Sequence, residues 1–367
     1  MALRLVLAAA LATGSTGASA ATLTVGENSA YATLTQAAHA ARPGDTIVLA
    51  PGFHEGAQFH ADRLTIRAAE SAPPGSVVVR GAAVGRKGLF VISGNDVTVA
   101  GIAFEGARVP DGNGAGIRAE GRNLIVRDSR FYGNEMGILT DSVPGSVVTV
   151  RGSRFTGTES RRRGHVGHAV YANGIARLVV TDSHFERGAR GHYIKSRALE
   201  TLITRNRIDD TNGSASYLID LPQGGAATIS GNLLVKGPHP DNCCTAIAYG
   251  FEMRKGTGYA NPPGPVRVIA NRFVNRAPGL VTFFANRSAP ANAARLADNE
   301  MIAEQGRIVV TSGSATVTGK AVPAGILPDA ATFAGMVLKP PLSGVFALLG
   351  FGLAGLIVGR RKAAAGR

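Results

Sequence analysis

Val148-Thr149-Val150-Arg151-Gly152-Ser153-Arg154-Phe155 and Leu178-Val179-Val180-Thr181-Asp182-Ser183-His184-Phe185 are two copies of one eight-residue pattern. Eight copies begin at Val97, Leu124, Val148, Leu178, Thr201, Ala227, Val266 and Ala294. Their third position reads Val99, Val126, Val150, Val180, Ile203, Ile229, Val268 and Leu296. The sixth reads Ile102, Ser129, Ser153, Ser183, Asn206, Asn232, Asn271 and Asn299, and the eighth Phe104, Phe131, Phe155, Phe185, Ile208, Leu234, Phe273 and Met301. Self-similarity at such a period means stacked coils, each burying its apolar edge against the next. A column of Ser and Asn at a bend can bond to its own copies and to turn backbone, satisfying buried amides along the stack. The pattern predicts a solenoid.

Spacing decides which solenoid. Successive starts differ by 27, 24, 30, 23, 26, 39 and 28 residues. Leucine-rich repeats share an L-x-L-x-x-N-x-L core but have a narrower period and a second leucine-bearing segment. Here the second segment is strand-like: Gly116-Ile117-Arg118-Ala119, His168-Ala169-Val170-Tyr171, His192-Tyr193-Ile194-Lys195 and Tyr217-Leu218-Ile219-Asp220. Val, Ile and Thr with Gly-rich bends, and no helical period, predict an all-β chain of three strands per coil with loops of variable length. On these residues the chain resembles the right-handed parallel β-helix proteins of the pectate-lyase-like group. Tyr31 to Ala38 resembles that group's amphipathic capping helix, and Pro43 to Gly52 its first coil. The resemblance covers residues 22–320 and implies a solenoid of about ten coils whose open end is capped.

Residues 1–21 read as a signal peptide: Arg4, an apolar run, then Ala18-Ser19-Ala20. At the other end, 321–341 reads as a linker, Leu342 to Val358 as a membrane helix and 359–367 as a basic cytoplasmic tail. The uncharged run has 17 residues, about 26 Å as a helix, just enough to span. The basic cluster Arg360-Arg361-Lys362 orients it. This tail resembles a PEP-CTERM sorting signal, with Lys339-Pro340-Pro341 where the Pro-Glu-Pro core stands. An exported, membrane-tethered, monomeric protein is the expectation.

Lys and Arg number 39 against 25 Asp and Glu, a formal charge of +14. A basic exported solenoid favours anionic partners; outside the cytoplasm that means acidic polysaccharide rather than nucleic acid. The cysteines, Cys243 and Cys244, are adjacent. A vicinal disulfide, an intermolecular pairing and free thiols all stay open, and no zinc spacing exists.

The strand preceding each octet is, in this group, the one that lines the substrate groove. Alternation assigns its faces. With Ile194 inward, Tyr193, Lys195 and Arg197 point out and His192 points in. With Val170 inward, Tyr171 and Asn173 point out. With Tyr217 and Ile219 inward, Leu218 and Asp220 point out, and Arg118, Leu139 and Asp141 extend the face. Tyr171, Lys195 and Asp220 should stand in one row. The loop Thr156 to Gly167, with Arg161, Arg162, Arg163 and His165, followed by His168, should rim the same face, as should Glu252 to Pro265.

These residues suit β-elimination of a uronate. Lys195, beside the Arg197 cation, is the expected base. Tyr171 or Tyr193 donates to the leaving oxygen, and Arg197 or Arg118 pairs with the carboxylate. Asp220, Asn173, Arg161, Arg162, Arg163, His165 and His168 complete the expected binding surface. Ile194-Lys195-Ser196-Arg197 with Asn206 resembles the Lys-Ser motif of the alginate lyase and chondroitinase B family, which implies a lysine base. That family's acidic calcium ligands are not recognisable, so no cofactor is assigned, although the resemblance raises calcium. Two other readings stand beside the lyase or epimerase: a non-catalytic polysaccharide-binding scaffold, and a hydrolase, for which Asp141 and Asp220 stand too far apart.

Overall fold

The computed structural model describes residues 19–242, 244–253, 260–288 and 292–319, with a short strand at Ile326–Leu327. Residues 1–18 of the expected signal peptide, Cys243, and, apart from that strand, the segments expected as linker, membrane helix and basic tail lie outside the described residues. Among the described residues no helix is long and apolar enough to cross a membrane.

Among the described residues, three parallel sheets of 12, 11 and 10 strands form, and from the first coil on the strands pass from sheet to sheet in a repeating order. This is a right-handed parallel β-helix. One sheet carries the first four octet positions and another the last two with the residue that follows them. The third sheet, here the groove sheet, carries the strands Ala115–Ala119, Met136–Thr140, His168–Ala172, His192–Ser196, Ile219–Leu221, Thr245–Tyr249 and Leu280–Asn286. The octets pair start to start without a slip: Val97 with Leu124, then Val148, Leu178, Thr201, Ala227, Val266 and Ala294.

Two columns hold the octets in register. Inside, Phe59, Phe90, Phe104, Phe131, Phe155 and Phe185 form a column with 4.5–5.0 Å between centroids, edge-to-face as far as Phe104 and stacked from Phe104 to Phe185. Such pairs contribute about 0.5–1.5 kcal/mol each beyond area burial. At the bend, the sixth-position side chains form a ladder. The backbone N–H of Ser183 donates to Asn206 Oδ1 at 2.9 Å, that of Asn206 to Asn232 at 2.8 Å, and that of Asn232 to Asn271 at 3.1 Å. Each Asn also donates its Nδ2 to a carbonyl of the preceding coil, as Asn206 does to Val180 and Asn232 to Ile203. The ladder thus satisfies buried donors and acceptors that have no strand partner at the corner. The fifth position is left-handed in every copy: Gly101, Asp128, Gly152, Asp182, Arg205, Gly231, Ala270 and Asp298 have φ between 52° and 73°. That conformation turns the chain from one sheet into the next.

The capping helix forms at Leu34–Ala40, its start fixed by a reciprocal Thr33–Gln36 capping box, with Leu34, Ala37 and Ala38 buried against the first coils. The strand Thr46–Leu49 opens the first coil, within the segment expected for it.

Candidate active site

The register sets Tyr171, Lys195 and Asp220 side by side on three neighbouring strands. Ile117, Ile138, Val170, Ile194 and Ile219 face the core beneath them. One step earlier along the strand, strict alternation fails. A Cβ on Gly116 would meet Phe131 at 2.8 Å, and one on Gly137 would meet Phe155 at 2.8 Å. Ala169 belongs to the core as well. The column therefore points inward immediately before another inward residue, because the chain turns a corner between the two. Small residues fill it in three coils. Tyr193 fills it in the fourth, beyond the last ring of the Phe column, with its ring centroid 6.3 Å from Phe185.

Four expectations reverse at this corner. Tyr193 is not on the groove: it is 2% exposed, donates its hydroxyl to Asp210 at 2.8 Å and accepts the Gly188 N–H at 3.0 Å. Burial holds its pKa well above the usual tyrosine value, so it is no acid catalyst. His192 faces outward instead of inward. Tyr217 points out and lines the cleft, while Leu218 is the core residue.

The outcome is a cleft of about 450 Å³ lined by His192, Lys195, Tyr217, Asp220, Asn242, Cys244, Thr245, Phe251, Glu252 and Arg287, with Pro222 at its edge. Cys244 is disulfide-bonded. One wall is aromatic: His168, His192 and Tyr217 stack at 4.9 and 4.8 Å, and Phe251 meets Tyr217 at 5.7 Å. The other wall is charged. Lys195 Nζ lies 3.2 Å from Asp220 Oδ2 and 3.2 Å from Glu252 Oε1. Arg197 donates from Nη1 to Glu252 Oε2 at 2.5 Å and from Nε to the Tyr171 hydroxyl oxygen at 2.9 Å. Residues from two strands and the loop beyond a third converge on one ammonium.

Electrostatics assign the protonation states. Burial alone would lower the Lys195 pKa, but Asp220 and Glu252 outweigh it and hold the lysine above its usual value. Arg197 does work in the expected direction, but too weakly to make Lys195 a resting base. Burial raises the Asp220 pKa against the pull of Lys195. For Glu252, burial is outweighed by the bond from Arg197 and the charge on Lys195, and its pKa falls. Burial, with His168 and Lys195 nearby, pushes His192 well below the usual value, so its ring is neutral. Its Nδ1 accepts the Tyr217 N–H at 3.2 Å, which assigns the ring proton to Nε2, 3.4 Å from Asp220 Oδ2. Both Lys195 and His192 therefore hold the same Asp220 oxygen. Asp220 Oδ1 is buried and has no hydrogen-bond partner.

The remaining expected site residues scatter. Asn173 bonds the Thr140 carbonyl at 2.6 Å and lines a second cleft of about 540 Å³ with Ser142, Tyr171, Arg197 and Gln223. Arg118 lies in the Lys195 row, but beyond Leu139 and Tyr171, and pairs with Asp141 at 2.5 Å. His168 is buried behind His192 and accepts its N–H, with its pKa pushed down to about 3 by burial and Lys195. Arg161, Arg162, Arg163 and His165 are exposed and do not line the cleft; Arg162 pairs with Asp111 at 3.3 Å. Among the described residues no group of three or more His, Cys, Asp or Glu is placed to hold a metal ion, and the cleft's two carboxylates share Lys195.

Behind Tyr217 lies a buried brace. Lys236 donates to the Ser216 carbonyl and, at 3.1 Å, to that of Ala215. Asp210 accepts from Tyr193 and from the Ala215 N–H at 3.1 Å. The residue column read as catalytic at Tyr193 instead fixes the loop that carries Tyr217.

Residues 79–261 match the family model described as a right handed beta helix region, the architecture seen here. No curated protein matches the chain. Solved structures similar to it include an alginate lyase from Paenibacillus sp. str. FPU-7, 16% identical, with TM-score 0.38, covering 80% of this chain and 99% of that one. Pectin methylesterase PemA from Erwinia chrysanthemi is 10% identical, with TM-score 0.35, covering 86% and 95%. The PL6 family alginate lyase AlyGC is 14% identical, with TM-score 0.28, covering 84% and 53%. These likenesses transfer no residue role to this chain.

Proposed function

We propose that this β-helix binds an acidic, uronate-containing polysaccharide and cleaves it by β-elimination. The observation that carries the reading is Asp220, whose one oxygen is held by Lys195 and His192 while the other is buried and empty. A desolvated carboxylate with a vacant oxygen is a stronger base than an exposed one. Lys195 and Arg197 are the cations for the substrate carboxylate, which acidifies the neighbouring C5 hydrogen. Asp220 takes that proton, the electron pair forms the C4–C5 double bond, and the C4–O bond breaks. Tyr171, whose hydroxyl oxygen accepts from Arg197, keeps its own proton for the departing oxygen. The base role expected of Lys195 thus passes to Asp220, and Lys195 becomes its partner and the carboxylate's. The aromatic wall supplies an apolar face for a sugar ring.

One observation favours a second reading, a glycoside hydrolase. Asp220 and Glu252 each lie 3.2 Å from the same nitrogen, so their oxygens are no farther apart than twice that. Their pKa values are pushed in opposite directions, as an acid and its charged partner require. Incubation of residues 22–320 with a panel of uronate polymers separates the readings. Ultraviolet absorbance from unsaturated ends supports the lyase, reducing ends without that absorbance the hydrolase, and binding without either product a scaffold.

A further inference from the structure

We infer that Glu252 occupies the place of the substrate carboxylate, and that an incoming uronate must displace it. The inference rests on the acidic-polysaccharide reading and names what competes for that site. Glu252 follows the strand Thr245–Tyr249, two strands beyond Lys195 in the groove sheet, and its side chain reaches back over the strand of Asp220. There its two oxygens divide between Lys195 and Arg197, at 3.2 and 2.5 Å. A uronate carboxylate entering the groove would be held by the same two cations in the same bidentate manner.

Position supports displacement. Of the four charged groups, Glu252 is the most accessible: its side chain is 25% exposed, against 4% for Asp220, 11% for Lys195 and 18% for Arg197. Its backbone is tied to Pro222 by a 2.9 Å hydrogen bond, so the carboxylate can swing without unseating the loop. Glu252 also sits at a boundary. Lys195 and Glu252 line the cleft of about 450 Å³, whereas Tyr171 and Arg197 line that of about 540 Å³. A polymer crossing from one to the other passes over the Lys195–Glu252–Arg197 bridge, and lifting Glu252 joins the two clefts. Without Glu252, Lys195 and Arg197 share one fewer counter-charge, which a correctly placed anion restores.

The experiment is calorimetric titration of short oligouronates, and of their methyl esters, into the wild-type protein, Glu252→Gln and Glu252→Ala. Both variants should bind the acid forms about tenfold more tightly than wild type, equivalent to about 1.4 kcal/mol, with ester binding unchanged. An equal gain for the esters would mean that Glu252 merely fills space, and an unchanged or weaker acid affinity would mean that it braces the site; either overturns the inference. The underlying reading fails separately, if wild type does not prefer the acid to the ester, and the inference then falls with it. Unfolding midpoints of both variants confirm that the compared proteins are folded.

Discussion

The octet corner and the groove corner of this solenoid obey opposite rules. At the octet corner each coil repeats its neighbour: a left-handed fifth residue, a Ser or Asn at the sixth in all copies but the first, which has Ile102, and an apolar eighth. At the groove corner the column runs Gly116, Gly137, Ala169, Tyr193, and the outward positions beside it change from coil to coil. The ladder residue serves the preceding coil's backbone, so a deviant copy leaves a buried amide unsatisfied. Groove side chains owe nothing to register once Ile194 and its copies are buried, which frees them to assemble a single charged cluster. Uniformity marks what holds the stack together, and departure from it marks the site.

That contrast can be broken in either direction. Asp220→Asn should lower turnover about 10²–10⁴-fold at temperatures where the variant is still folded, while its melting temperature falls only modestly because Lys195 keeps Glu252 as a counter-charge. Retained activity with a collapsed melting temperature would make Asp220 a structural residue and erase the distinction.

The brace behind Tyr217 sharpens the comparison, since it is groove-side but buried. Burial pushes the Asp210 pKa up to about 6 against the bonds from Ala215 and Tyr193. The folded chain therefore holds this proton more tightly than the unfolded chain, so Asp210 favours folding below about pH 4 and that contribution fades as pH rises to about 6. Denaturant titrations across this window should show wild type losing on the order of 2–3 kcal/mol relative to Asp210→Asn. Parallel profiles would show that Asp210 is ionised throughout and the brace is not a proton-holding site.

Asn232→Ala addresses the ladder. It removes the acceptor for the Asn206 N–H and the donor to the Ile203 carbonyl, and should cost about 1–3 kcal/mol without altering the rate on any polymer. A loss of rate as large as that of Asp220→Asn would show the two corners to be coupled.

The same contrast explains what the sequence disclosed. All seven octet-to-octet steps were readable from residue types, because the buried third position, the ladder and the buried apolar eighth each demand a restricted choice at a fixed offset. The row Tyr171, Lys195, Asp220 was readable too, since it lies on the regular side of Ile194. Alternation misplaced Tyr193, His192, Tyr217 and Leu218, where the chain turns and two successive residues face inward. The small residues Gly116, Gly137 and Ala169 before each inward aliphatic were the available signal for that turn. Glu252 carried no periodic signal: it reaches Lys195 from a loop two strands away, and only the tertiary stack brings them together.

The ladder also has a direction. Every bend amide from Ile102 to Asn271 donates to a side chain of the coil that follows it in sequence, and the Asn amides return a donor to the coil before. During synthesis, each coil therefore keeps an unsatisfied bend until its successor has emerged. The last coil made completes the one before it, so assembly runs one step behind the growing chain, and shortening the solenoid from its C-terminal side leaves a backbone N–H unsatisfied, whereas shortening it from the other side frees an asparagine side-chain amide.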